Sequence, residues 1–249
     1  MRLAKLTTSS YFAGHPDATG KDRFMTTLTA APVAPLLDRL FAEDEAAHPA
    51  TTASAADYWN SLSHEERDRL MHSRTDYPDF YAQMRDVPLA VSRDTGTLLY
   101  MLARSTGARS IVEFGTSFGL STLCLASALR DNGGGNLITS EFEPSKVTRA
   151  RAHLAAASLA DLVEFREGDA LETLARDLPP SVDLLLLDGA KALYPDVLDL
   201  VQPHLRPGAL VIADNADFFP PYVERVRAAG SGYLSIGFGE DVELSVRLG

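Results

Sequence analysis

SIVEFGTSFGLSTLCLASALRDNGGGNLITSE, residues 110–141, reads as strand, glycine turn, helix, glycine turn and strand, with an acidic residue closing the second strand. In the first turn Gly115 and Gly119 flank Thr116, Ser117 and Phe118. Glycines there let the backbone approach a ligand closely while the N-terminus of the following helix points outward. Such a unit implies a nucleoside-like ligand. The spacing is G-x-x-x-G and not G-x-G-x-x-G, which favours a ligand without a pyrophosphate over a dinucleotide.

Outward from this unit, strands and helices alternate to the end of the chain. Strands are expected near 110–114, 136–141, 162–166, 182–188, 209–214, 232–238 and 241–248, and helices near 119–130, 144–158, 169–177, 191–204 and 218–228. A helix from Ser92 to about Thr106 precedes them and is expected to turn Leu98, Leu99, Met101 and Leu102 inward. The run VDLLLLD, residues 182–188, is apolar on both faces, as a central parallel strand between helix layers should be. The last two strands lie too close in sequence for a crossover helix and are expected as an antiparallel hairpin at one edge. The expected fold is therefore α/β, a doubly wound seven-stranded, mostly parallel sheet with an antiparallel C-terminal hairpin and an N-terminal helical extension. Residues 1–84 are expected as arm and helical cap, and 85–249 as the ligand-binding domain.

The N-terminal part is less regular. Residues 1–22 show no periodicity and are expected as a loosely held arm. From Met25 to Phe41 apolar residues fall at helical spacings interrupted by Pro32 and Pro35, and residues 46–56 read as a linker. Ser63 and Glu66 form a capping box that opens a short helix. Trp59, Tyr77, Phe80 and Tyr81 either wall a substrate pocket or fix this segment to the main core. The same segment serves equally as a cap over the pocket or as a homodimer interface.

The chain has 249 residues, enough to bury a full core, with 23 basic residues against 34 acidic ones and a formal net charge of −11. That excess works against binding to nucleic acid or to an anionic membrane surface, and points to small-molecule chemistry. The single cysteine, Cys124, excludes an intrachain disulfide and zinc-finger spacing, and the six histidines show no paired spacing for a metal. The N-terminus lacks an apolar signal core and no run approaches a membrane span, so a cytoplasmic protein is expected.

Each polar residue of interest falls at the carboxyl end of an expected strand: Glu113 and Gly115, then Glu141, then Gly168 and Asp169, then Asp188, then Asp214 and Asn215. Glu141 lies where an acidic side chain accepts hydrogen bonds from ribose hydroxyls. Asp188, Asp214 and Asn215 offer two carboxylates and an amide oxygen, three hard ligands for Mg²⁺ or another divalent metal. Lys191, three residues after Asp188, reaches the same place and has the chemistry of a general base. The plainer alternative makes the two aspartates helix caps and Lys191 a solvated charge.

In the order VEFGTSFGLST, TSEFE, REGDALE, LLLLDGAKALYPD and LVIADNA, the chain resembles the class I S-adenosylmethionine-dependent O-methyltransferases of the catechol and caffeoyl-CoA type, over roughly residues 85–249. The resemblance implies methyl transfer from S-adenosylmethionine to a hydroxyl of a small aromatic acceptor. It puts the methionine part of the cofactor on Glu113, Gly115, Thr116, Ser117, Gly119 and Ser121, and the ribose on Glu141 with Phe142 beside it. The adenine falls on Gly168, Asp169 and Ala170, the metal on Asp188, Asp214 and Asn215, and catalysis on Lys191 with Asp188, which also meets the cofactor. On the acceptor side it points to Glu240 or Asp241; the N-terminal 84 residues carry no motif of the family, and Trp59 is an acceptor-side candidate from its aromatic segment alone. Gly189 departs from the catechol enzymes, which carry a larger residue against the adenine. Two other readings use the same residues: a metal-independent methyltransferase acting on a small oxygen or nitrogen nucleophile, and an NAD-type nucleotide binder.

Overall fold

The computed structural model of the protein describes residues 25–239 and 241–249, so the arm expected over residues 1–22 and the candidate acceptor residue Glu240 lie outside the described residues. In chain order the elements are α1 (Val33–Ala46), α2 (Ala56–Ser61), α3 (His64–Met71), α4 (Tyr77–Gln83), α5 (Arg93–Ser105), β1 (Ser110–Phe114), α6 (Leu120–Asp131), β2 (Asn136–Glu141), α7 (Pro144–Ala156), β3 (Val163–Glu167), α8 (Ala170–Thr173), β4 (Val182–Leu187), α9 (Tyr194–Val201), β5 (Leu205–Ala213), α10 (Pro220–Arg227), β6 (Tyr233–Phe238) and β7 (Val242–Arg247). The strands form one seven-stranded sheet in the order β3-β2-β1-β4-β5-β7-β6. β1 to β5 are parallel, and β7 pairs antiparallel with both β5 and β6. The order reverses between β1 and β4, which opens a crevice at their carboxyl ends.

Two apolar layers cover the sheet. Helix α6 is buried over nearly its whole length, from Leu120 to Leu129, between the sheet and helices α1 and α5. Its buried Ser127 Oγ donates to the Leu123 carbonyl at 2.7 Å, within the helix. On the other face Leu185, Leu187, Val197, Leu198, Tyr194 and Tyr222 pack together. A third, smaller cluster of Ala55, Leu70, Phe80, Met84 and Val87 holds α2 to α4. The Ser63 hydroxyl accepts from the Glu66 amide at 3.2 Å and the Glu66 carboxylate from the Ser63 amide at 2.8 Å, the reciprocal pair that starts α3. Among the described residues no helix is long and apolar enough to cross a membrane.

Three local expectations change. In α5 the buried stripe is Thr95, Gly96, Leu99, Tyr100 and Ala103, with Leu98 and Leu102 partly buried. Met101 is 59% exposed because the helical period turns it away from Leu99. The helix expected over 169–177 closes after Thr173, because the Arg166 guanidinium draws the carbonyls of Thr173, Arg176 and Asp177 around itself at 2.8, 2.6 and 2.9 Å. Strand β5 begins earlier than expected, at Leu205, and its register against β4 slips between the Val182 and Leu184 pairings, where Pro207 and Gly208 interrupt the ladder.

Candidate active site

A cavity of about 340 Å³ lies over the carboxyl ends of the strands at the crevice between β1 and β4. The turn after β1 forms one wall. The Gly115 amide donates to the Ser140 carbonyl at 3.0 Å and the Asp188 amide to the Phe114 carbonyl at 2.8 Å, so the turn is clamped to both neighbouring strands. Gly115 has φ +99°, and a Cβ there would meet the Asp188 backbone at 2.6 Å. Any side chain would therefore push β1 and β4 apart where the crevice opens.

Glu141 ends β2 facing this turn. Its Oε2 accepts from the Ser117 amide at 2.8 Å and its Oε1 from the Glu143 amide at 2.9 Å. Two backbone donors thus fix the carboxylate while its remaining lone pairs face the cavity it lines. Ser117 holds a left-handed φ of +46°, and its hydroxyl donates to the Pro88 carbonyl. Lys146, in the first turn of α7, donates from Nζ to Ser117 Oγ at 3.3 Å.

Behind the turn, Glu113 is fully buried and gathers three hydroxyls. Ser121 Oγ donates to Oε1, and Thr122 Oγ1 and Thr139 Oγ1 to Oε2, each at 2.6 Å. Burial pushes the Glu113 carboxyl up to about 7, although the three hydroxyl donors work in the opposite direction. Thr116 Oγ1 bonds Thr139 Oγ1 and so joins the same cluster.

The opposite end of the cavity carries the acidic cluster. Asp188 Oδ1 and Lys191 Nζ are 3.0 Å apart, with side chains 10% and 14% exposed. The carboxyls of Asp188 and Asp214 hydrogen-bond each other. Burial raises both pKa values; Lys191 offsets the rise at Asp188, and the Asp188 charge adds to it at Asp214. Asn215 sits in the left-handed region with φ +48°, and its Nδ2 donates to Asp241 Oδ2 at 3.0 Å.

The roof comes from the N-terminal helices. Trp59 of α2, Met71 of α3, and Tyr77, Phe80 and Tyr81 of α4 all line the cavity. The Tyr77 hydroxyl donates to Asp169 Oδ2 at 2.7 Å while Asp169 Oδ1 caps α8 through the Leu171 amide at 2.8 Å. His72 reaches the Phe218 carbonyl and Arg74 pairs with Asp196, so the roof is fastened to the sheet domain on a second side.

A methyltransferase-domain family profile matches residues 112–216. The structure of the O-methyltransferase TomG from Streptomyces achromogenes, in complex with S-adenosylmethionine, is 30% identical and covers 76% of this chain and 100% of its own, with a TM-score of 0.59. The chain belongs to the class I S-adenosylmethionine-dependent O-methyltransferase family. Catechol O-methyltransferases from Niastella koreensis and Mycobacterium tuberculosis are 33% identical over 130 residues and 34% over 127 residues. Those matches cover 51% of this chain and 58% and 57% of the relatives, so the aligned part spans little more than half their length. An O-methyltransferase from Bacillus cereus, solved with S-adenosylhomocysteine, shares the fold at 24% identity, covering 78% of this chain and 97% of its own with a TM-score of 0.60.

Of the candidate residues read from the sequence, Gly115, Ser117, Glu141, Phe142, Gly168, Asp169, Ala170, Asp188, Lys191, Asn215 and Trp59 line this cavity. Glu113, Thr116 and Ser121 do not reach its wall: they are 0%, 1% and 4% exposed and bound into one hydroxyl cluster behind the turn. Gly119 faces α7, where a Cβ would meet Ala150 and Leu154 at 3.2 Å. Asp214 is 4% exposed and touches the cavity's chemistry through Asp188. Asp241 supports the Asn215 amide.

Several lining residues were not anticipated as functional. Phe114 fills the space over Gly189, where a Cβ would land 2.4 Å from its ring, so the bulk missing at 189 is supplied by the neighbouring strand. Leu89, at φ +49°, reaches the cavity from a loop, and Phe218 from the 3₁₀ turn Ala216–Phe218 after β5. Lys146 was detectable, because a lysine in a first helical turn sits against the positive end of the helix dipole and needs another reason to be there. Among the described residues no three His, Cys, Asp or Glu side chains come together as a metal-ligating group. A divalent cation would therefore have to count the Asn215 amide oxygen as a ligand. The donor set of two carboxyls and an amide whose nitrogen is already engaged, leaving its oxygen as the donor, fits a hard cation.

Proposed function

We propose that the protein transfers a methyl group from S-adenosylmethionine to a hydroxyl of a small aromatic acceptor, with a divalent cation assisting. The observation that carries this reading is a single cavity bounded by Glu141 and the glycine turn at one end and by the Asp188–Lys191 pair at the other, under an aromatic roof. Glu141 accepts the donor's ribose hydroxyls, the Gly115–Ser117 backbone meets the methionine part, and Phe142, Gly168, Asp169 and Ala170 take the adenine side. Trp59, Phe80 and Tyr81 face the acceptor ring, and Tyr77, bonded to Asp169 and edge-on to Phe142, belongs to the adenine side.

A methyl sulfonium is intrinsically reactive, so the protein's main task is alignment of acceptor oxygen, methyl carbon and sulfur, which contributes about 7–11 kcal/mol. The oxygen–carbon bond forms as the carbon–sulfur bond breaks, and sulfur keeps the electron pair. Lys191 Nζ, once it has given up its own proton to solvent, accepts the hydroxyl proton as a neutral amine, and Asp188 Oδ1, 3.0 Å away, stabilises the ammonium that re-forms. Asp188, Asp214 and Asn215 would hold a divalent cation, whose Lewis acidity would stabilise the acceptor's phenolate. A second reading drops the cation, and the existing Asp188–Lys191 ion pair and Asp188–Asp214 hydrogen bond favour it, since they already compensate the cluster's charge.

Thermal unfolding with S-adenosylhomocysteine and with NAD, followed by a screen of catechols and other phenols for S-adenosylhomocysteine release, tests the proposal. Stabilisation by the homocysteine compound alone and a methylated phenol are expected. Absence of both refutes it. Turnover lost in chelator and in Asp214→Asn, with donor affinity kept, supports the metal-assisted form, and full turnover in chelator selects the metal-free one.

A further inference from the structure

Lys146 is 4% exposed and lines the cavity, yet its ammonium has thin compensation. Nζ makes one hydrogen bond, of 3.3 Å to Ser117 Oγ, and stands 5.7 Å from the centre of the Phe118 ring. Among the described residues no carboxylate forms an ion pair with it. Glu141, Glu143 and Asp188 act on it from a distance, and burial outweighs them, lowering its pKa. Glu141 cannot turn toward it without releasing the Ser117 and Glu143 amides. Arg149, the next cation on α7, is already paired with Asp86. An ammonium has three protons to donate, and a buried one left with a single long hydrogen bond is costly unless a ligand completes its shell.

The place of Nζ defines what that ligand group must be. It lies beside Ser117, on the methionine side of the turn, and next to the carboxylate assigned to the ribose. The donor under the proposed function has one anionic group, its α-carboxylate, and that group belongs on this side. We infer that the Lys146 ammonium docks the α-carboxylate of the donor, so that the protein selects its adenosyl donor by the amino-acid end through a buried ion pair. This inference rests on the proposed function. Lys146 acts on binding and on the placement of the sulfonium, and the Ser117 hydroxyl orients it.

Calorimetric titration of the wild type, Lys146→Met, Lys146→Gln and Lys146→Arg with two ligands tests it. The ligands are S-adenosylhomocysteine and S-adenosyl-3-thiopropylamine, which keeps the ammonium and lacks only the carboxylate. Loss of a buried charge-assisted contact weakens binding on the order of 10- to 100-fold. Lys146→Met and Lys146→Gln should lose that much for S-adenosylhomocysteine and change less than about twofold for the amine, and Lys146→Arg should recover most of the loss. Equal weakening of both ligands, or of neither, overturns the inference and leaves the proposed function standing. A wild type that binds neither ligand overturns both.

Discussion

Gly189→Ala tests whether Phe114 and Gly189 form one unit. The new methyl would lie 2.4, 2.5 and 2.6 Å from three carbons of the Phe114 ring, far inside van der Waals contact. The ring cannot simply swing aside, because it is 7% exposed and packs edge-on against Tyr194, itself fully buried, with centroids 6.3 Å apart. Overpacking of this kind costs about 1–3 kcal/mol. For a chain of this size that lowers the melting temperature by roughly 2–12 °C. Phe114→Leu makes room for the methyl, so Gly189→Ala should cost much less in that background. A coupling energy of at least about 1 kcal/mol in the double-mutant cycle is expected. Scanning calorimetry of the four proteins reads stability, and titration with S-adenosylhomocysteine reads the cavity. Gly189→Ala within about 1 °C of the wild type, or strictly additive effects, would refute the reasoning.

Two other predictions concern protons. Lys191→Ala should lower kcat by a factor of about 10²–10⁴ while donor affinity changes little, measured by turnover and titration; unchanged turnover would remove Lys191 from proton transfer. Glu113 binds its proton more tightly in the folded protein, at about 7 against an ordinary 4.5, so its contribution is most stabilising below pH 4.5, is lost as pH rises toward 7, and levels off above. The change is on the order of 3 kcal/mol, and Glu113→Gln should flatten it in urea denaturation midpoints taken across that range. An identical pH slope in the variant would show that other groups, Asp188 and Asp214 first among them, carry the effect.

The parallel sheet was legible because its strands carry distinctive local signals. Leu184 to Leu187 are apolar on both faces, and glycine turns follow β1 and precede β2, so the crevice and its acidic residues could be located by position along the chain. Alternation puts neighbouring side chains on opposite faces, but in a strand covered on both sides it does not tell which face serves the cavity. Glu113 and Phe114 are adjacent in β1, yet one is buried among hydroxyls behind the turn and the other reaches the cavity. The Phe114–Gly189 exchange and the Asp188–Asp214 contact join residues far apart in sequence, and no periodicity encodes them. The early end of α8 was hidden for the same reason, since the Arg166 guanidinium that stops it comes from the preceding strand.

The small cluster under α2 to α4 is separate from the two layers that hold the sheet. Its residues and neighbours provide Trp59, Phe80, Tyr81 and Met84 to the cavity roof, whereas the opposite walls stand on the enclosed α6 and β4. Mutational cost is therefore unevenly distributed around the chamber. Changes in the roof perturb a satellite of five buried side chains, and changes in the floor perturb the main core. A lineage bearing this architecture can remodel the roof of the chamber at low risk to folding, while the floor at the strand ends stays fixed by the stability of the whole sheet.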